Sequence, residues 1–207
     1  MIVKMSIICQ NQFMSSLNTL KKLGIFRASQ ATSLGFTNKD VTRLVEAGKL
    51  LKLDRGVYQH CEFHLDASDH DFAVAATRFG PSAVIGGVSA LFHYNLTETI
   101  PSRVWIITPS DKKTTDRRYR FLRTKASLTI GVEKKRRYKI VTFERALVEA
   151  FYYSSKIGLD LAMRAIATAL KQKQTTLRRV TAMAKKLDMD AAINRHWDAM
   201  VGFQEIA

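Results

Sequence analysis

The first regular signal along the chain is helical. Phe13, Leu17 and Leu20 fall on one face, and Gly24 stands where a helix C-cap belongs. A second short helix is predicted from Ala28 to about Leu34, stopped by Gly35. A third follows Phe36. Thr37 is its cap, Asp40 takes the capping-box position, and Val41, Leu44 and Val45 form a buried stripe that ends at Gly48. Two short β-type runs, at residues 50–53 and 57–59, flank Asp54, Arg55 and Gly56 and predict a hairpin. Three short helices and a hairpin over residues 13–66 make a winged helix-turn-helix, with Gly35 supplying the turn between helices two and three. Residues 1–12 fit no element and read as a tail.

A second domain is expected over residues 67–207. Ser68 and Asp71 form another capping box, opening a helix with Phe72, Ala75, Ala76 and Phe79 that Gly80 and Pro81 stop. Residues 83–85 read as a strand, 89–94 as a short helix, and the apolar run 104–108 as a buried strand. Further strands are expected at 119–123, 128–130 and 138–141. After Thr142 the spacing turns helical, in four helices marked by Leu147 and Phe151, by Leu159, Ile166 and Leu170, by Leu177, Val180 and Leu187, and by Ile193, Trp197 and Met200. The fold class is therefore α+β: a winged helix-turn-helix, then a mixed α/β domain with strands to about residue 142 that ends in a helical bundle.

Composition sharpens this picture. The 207 residues carry a formal net charge of +15, which points to a polyanionic partner, because Lys and Arg release counterions condensed on phosphates. The excess is local: residues 111–145 hold 13 bases and 4 acids. No apolar run approaches the ~20 residues that span a bilayer. The stretch from Met1 to Cys9 is interrupted by Lys4 and has no cleavage site, so it reads as a poor signal peptide. Cys9 and Cys61 form no paired motif, which suits a reducing, cytoplasmic setting.

The third helix carries the strongest chemical signal. With its aliphatic stripe buried, Asn38, Lys39, Thr42, Arg43 and Glu46 face outward, and the first four are side-chain types that reach base edges and phosphates. Thr37, Asn38, Lys39, Thr42 and Arg43 are the candidate duplex readers, with Lys49, Lys52 and Arg55 on the hairpin as backbone contacts. A second basic patch is formed by Lys112, Lys113, Arg117, Arg118, Lys134, Lys135, Arg136 and Arg137, and its partner class (DNA, RNA or protein) stays open. His60, Cys61 and His64 are ligand-type residues, but their spacing matches no closed four-ligand pattern, so no metal is expected. Glu133 and Lys135, with Asp111 or Asp116 as a second carboxylate, would be a Mg²⁺ nuclease half-site, a pattern that arises easily by chance in a basic run. There is no P-loop, dinucleotide fingerprint, His-Glu-x-x-His or nucleophile elbow, and no enzyme or cofactor is expected.

The order of features resembles a known family. Gly24-Ile-Phe, Leu34-Gly-Phe-Thr37, Arg43-Leu-Val45, Gly48-Lys-Leu50 and Arg55-Gly-Val-Tyr58 are similar to the N-terminal winged helix of AbiEi-type antitoxins, the regulators of type IV toxin–antitoxin systems. Ser89-Ala-Leu91, Val104-Trp-Ile106 and Thr142-Phe-Glu-Arg-Ala-Leu-Val148 extend the resemblance along the chain. It implies a repressor of its own operon in phage defence that binds double-stranded DNA at promoter inverted repeats, as two copies paired in solution or only on DNA. It also implies a C-terminal domain that opposes a nucleotidyltransferase-like toxin. Two departures stand out: Arg27 occupies the usual place of a hydroxyl cap for helix two, and the positive charge concentrates in residues 111–145 rather than the wing. The alternatives are a stand-alone regulator without a toxin, a Mg²⁺-dependent nuclease targeted by the winged helix, and a protein-interaction module.

Overall fold

The computed structural model describes residues 14–206, and the chain divides into two compact units after Gly80. Phe13 and the expected tail at residues 1–12 lie outside the described residues. The first unit opens with α1, described over residues 14–23, then β1 (Ile25–Arg27), α2 (Ala28–Ser33) and α3 (Asn38–Glu46). The hairpin strands β2 (Leu50–Asp54) and β3 (Val57–His60) follow, and then α4 (Ala67–Phe79). The three strands form an antiparallel sheet in the order β1-β3-β2. The order of elements is that expected for a winged helix-turn-helix, with one addition. Residues 25–27, for which the sequence predicts no element, pair along β3 from Ile25↔Gln59 to Arg27↔Val57.

Apolar residues from every one of the first elements meet in one core. Leu17, Leu20, Phe26, Ala31, Phe36, Val41, Leu44 and Leu50 are all buried together, and Val45 packs against them half-buried. Phe26 and Leu20 have no exposed surface. Truncating such a phenylalanine to alanine typically costs about 3–5 kcal/mol. A second cluster joins Ile25 and Val57 to Ala73 and Val74 of α4. That packing corrects the expected boundary after residue 66: α4 completes the first unit, because its Ala73 and Val74 pack with Ile25 of β1 and Val57 of β3. The helix start also differs from the expected one at Ser68. The helix begins at Ala67 with Asp66 as its N-cap, so Ser68 lies inside its first turn.

Polar contacts tie α4 down. The Arg27 guanidinium donates from Nη2 to the Arg78 carbonyl at 2.7 Å and from Nε to the Thr77 carbonyl, so it caps the C-terminal end of α4. No hydroxyl at position 27 accepts from the first turn of α2; only the reciprocal bond of a capping box is made there, with Gln30 Oε1 accepting the Arg27 backbone N–H at 2.9 Å. The backbone N–H of Ala28, also at the start of α2, donates to the Gly56 carbonyl of the hairpin turn at 2.9 Å.

The second unit contains β4 (Val84–Ile85), α5 (Gly87–His93), β5 (Val104–Pro109), β6 (Tyr119–Thr124), β7 (Val132–Lys134) and β8 (Lys139–Val141). Helices α6 (Phe143–Tyr152), α7 (Ser154–Ile157), α8 (Leu159–Lys171), α9 (Leu177–Lys186), α10 (Asp190–Asn194) and α11 (Trp197–Ile206) close it. The five strands form a mixed sheet ordered β6-β5-β4-β8-β7. The strands β5 and β6 run parallel, β4 is antiparallel to β5 and parallel to β8, and β7 is antiparallel to β8. Helix α5 lies so close to β5 that a Cβ at Gly86 would stand 2.5 Å from Ile107, and Ser89 Oγ accepts the Trp105 N–H at 2.9 Å.

Two expectations are corrected in this unit. Residues 128–130 are not a strand; they bend, and the strand is displaced to β7. The carbonyls of Ser127 and Ile130 accept instead from the Arg145 guanidinium. The last predicted helix is two, α10 and α11, so Ile193 is buried on one while Trp197 is 38% exposed at the start of the other. Among the described residues no helix is long and apolar enough to cross a membrane.

Candidate nucleic-acid interface

Helix α3 is held by its own sequence. Thr37 Oγ1 accepts the Asp40 N–H at 3.2 Å, and an Asp40 carboxylate oxygen accepts the Thr37 N–H at 2.9 Å and its hydroxyl at 2.6 Å. These bonds to Thr37 hold the Asp40 carboxyl below its ordinary range. Val41 and Leu44 point into the core, so Asn38, Lys39, Thr42 and Arg43 face solvent, as does Glu46.

The eight expected DNA-contacting residues, Thr37, Asn38, Lys39, Thr42, Arg43, Lys49, Lys52 and Arg55, are all exposed. They divide by what their polar atoms do. Thr37 is engaged in the cap, and Thr42 Oγ1 donates to the Asn38 carbonyl at 3.0 Å, which leaves chiefly its methyl group to present. Among the described residues, the side chains of Asn38, Lys39, Arg43, Lys49, Lys52 and Arg55 have neither a hydrogen bond nor an ion pair. An amide and five cations without internal partners are suited to an external polyanion.

The hairpin tip is fixed from below by two residues that the sequence reading did not single out as functional. Asp54 Oδ1 accepts the Arg55 backbone N–H at 2.5 Å, and Gly56 takes φ +68° to close the turn. The Asp54 carboxylate is buried and grips both its oxygens on the Arg78 guanidinium of α4. Arg55 thus projects from an anchored turn. The signal for Asp54 was its place before Arg-Gly in a turn; nothing local marked Arg78 as its partner.

The second basic patch is not one patch. Lys112, Lys113 and Arg117 lie on the loop before β6, and Arg118 is paired there with Asp116 at 2.8 Å. Lys134, Lys135, Arg136 and Arg137 lie on β7 and the turn after it. Strands β6 and β7 are opposite edges of the sheet, four inter-strand steps or about 19 Å apart. The same separation keeps Glu133, ion-paired with Lys135 at 2.8 Å, on the other edge from Asp116, so these two carboxylates of the alternative nuclease reading are not brought together.

One ligand-type group forms among the described residues. His60, Cys61 and Glu62 bring one atom each within 4.8 Å of one another. Glu62 is ion-paired with Lys21, which holds its carboxyl below the ordinary range, and His60 Nδ1 accepts the Glu62 N–H at 3.3 Å. These are competing uses of the atoms a metal would need. His64, the third ligand-type residue noted in the sequence, is not in that group.

No curated protein matches the chain. Residues 17–59, which run from α1 through β3, match the family model described as transcriptional regulator, AbiEi antitoxin, and over that segment the resemblance carried by the sequence holds.

Proposed function

We propose that this protein is a DNA-binding transcriptional repressor and antitoxin that controls its own promoter. Helix α3 enters the major groove of an inverted-repeat half-site with Asn38, Lys39 and Arg43 toward base edges. Lys49, Lys52 and Arg55 of the wing hold the phosphate backbone. The observation that carries this reading is the set of polar side chains on α3 and around the hairpin that have no hydrogen bond or ion pair among the described residues, held on elements whose positions are fixed by the Thr37 cap and the Asp54–Arg78 pair. Two copies bind one inverted repeat. The second unit counters a nucleotidyltransferase-like toxin, and the protein itself performs no chemistry.

Titration of the purified protein against its own promoter and a scrambled duplex tests the claim. Specific binding is expected, and equal affinity for both duplexes overturns it. Arg43→Ala is expected to weaken promoter binding by about 1–3 kcal/mol and to relax preference at one base pair. A loss equal on every sequence reassigns Arg43 to a phosphate. A nucleotidyltransferase-like reading frame beside the gene supports the antitoxin role, and its absence leaves a stand-alone regulator.

A further inference from the structure

The bases of the β6 edge converge on a concavity of about 650 Å³ that lies wholly within the second unit. Lys112, Lys113 and Arg117 reach it from the loop, Arg120 and Arg123 from β6, and Lys156 from α7. Arg103 adds a further base, and Asp116 is the one acid in the lining, its carboxylate already engaged by Arg118. Two of these cations are oriented by aromatic rings: the Arg120 guanidinium stands 5.9 Å from the Trp105 ring centre, and Lys156 Nζ stands 5.5 Å from that of Tyr153. Phe121, half-buried, lines the same space.

Charged side chains on an edge strand commonly guard it against pairing with another sheet. That role accounts for Arg120 and Arg123. It does not account for cations from the loop, from before β5 and from α7 meeting them in one hollow, where like charges repel unless an anion lies between them. The shape narrows the anion. A duplex is convex and takes protein elements into its own grooves. A cleft of ligand size lined by cations and a ring suits a single strand, whose phosphates follow the charge while a base meets the aromatic face.

We propose that the β6-edge groove is a binding site for single-stranded nucleic acid, separate from the winged helix and independent of its assignment. The test uses the full-length protein with fluorescent oligouridylate and oligothymidylate, and with a duplex of equal length. Wild-type protein is expected to bind the single strands with a steep salt dependence. Tighter binding of oligouridylate assigns RNA through the 2′-hydroxyl, and equal binding assigns the shared phosphate backbone. The variant Lys112→Glu/Arg117→Glu/Arg123→Glu is expected to lose single-strand affinity at least about tenfold and to lower the salt slope by about two. Its promoter-duplex binding is expected to be kept, so failure here and failure of the repressor reading are told apart. The opposite-edge variant Lys134→Glu/Lys135→Glu/Arg136→Glu is expected to bind single strands as wild type does. Equal loss in both variants, unchanged binding in the groove variant, or displacement of the oligonucleotide by polyglutamate charge for charge overturns the proposal. If the triple variant misfolds by circular dichroism, Arg123→Gln carries the same titration.

Discussion

Helices α3 and α6 both begin after a threonine, and each carries an arginine in its first two turns, yet the two arginines have opposite fates. Arg43 of α3 is exposed and has no hydrogen bond or ion pair among the described residues, while Arg145 of α6 has no exposed surface. The difference starts at the third helical position. In α3 that residue is Asp40, a carboxylate that accepts the Thr37 N–H and completes the capping box. In α6 it is Arg145, which cannot accept a hydrogen bond. The Thr142 N–H donates instead to the Gly131 carbonyl at 2.8 Å, and the Thr142 hydroxyl is buried with no hydrogen-bond partner among the described residues. Arg145 turns inward, donating to the Ser127 and Ile130 carbonyls and to Glu149 at 2.8 Å. One helix leaves its cation exposed to solvent; the other uses its cation to hold the loop before β7.

The largest effect expected from this contrast is on stability. Arg145→Ala leaves two loop carbonyls and Glu149 buried without their donor. It should cost about 3–5 kcal/mol in denaturant unfolding, whereas Arg43→Ala should leave the unfolding midpoint where it was. Equal midpoints for the two variants would erase the comparison. A smaller difference is expected between the two threonines. Thr37→Ala removes a working cap and should destabilise by about 1 kcal/mol. Thr142→Ala removes a buried hydroxyl that bonds nothing and should be neutral or slightly stabilising.

The smallest effect is one of pH, and its sign differs between the helices. Burial pushes the Glu149 carboxyl up, against the opposing pull of Arg145, whereas the Thr37 bonds push the Asp40 carboxyl down. A raised carboxyl favours the folded state while it is protonated. The stability linked to Glu149 is therefore fully present below the ordinary glutamate value and is lost as pH rises through the higher folded value. The stability linked to Asp40 is present above the ordinary aspartate value and is lost as pH falls. Glu149→Gln should thus gain stability relative to wild type on going from acid to neutral pH, and Asp40→Asn should lose it. Unfolding midpoints at the two pH values read both signs.

Much of the first unit was legible residue by residue. The Thr37–Asp40 box, the Val41 and Leu44 stripe and the Asp54-Arg-Gly56 turn depend on neighbours within four positions, and the period of apolar residues reports which face must turn inward. The exposure of Asn38, Lys39 and Arg43 follows from that period, so the candidate readers were visible before any coordinates. Strand β1 was not, because three residues are too few to show an alternation, and their partner β3 lies some thirty positions away.

Charge placement needed the tertiary structure. Residues 111–145 are one basic run in the chain, but the sheet order β6-β5-β4-β8-β7 sends its two halves to opposite edges. Likewise, only packing shows that α4 completes the first unit, that Asp54 grips Arg78, and that Arg145 is internal. Local periodicity states whether a side chain faces in or out of its own element. Which elements meet, and so which charges share a site, is decided by strand pairing and burial between residues far apart in the chain, where no short-range pattern carries the information.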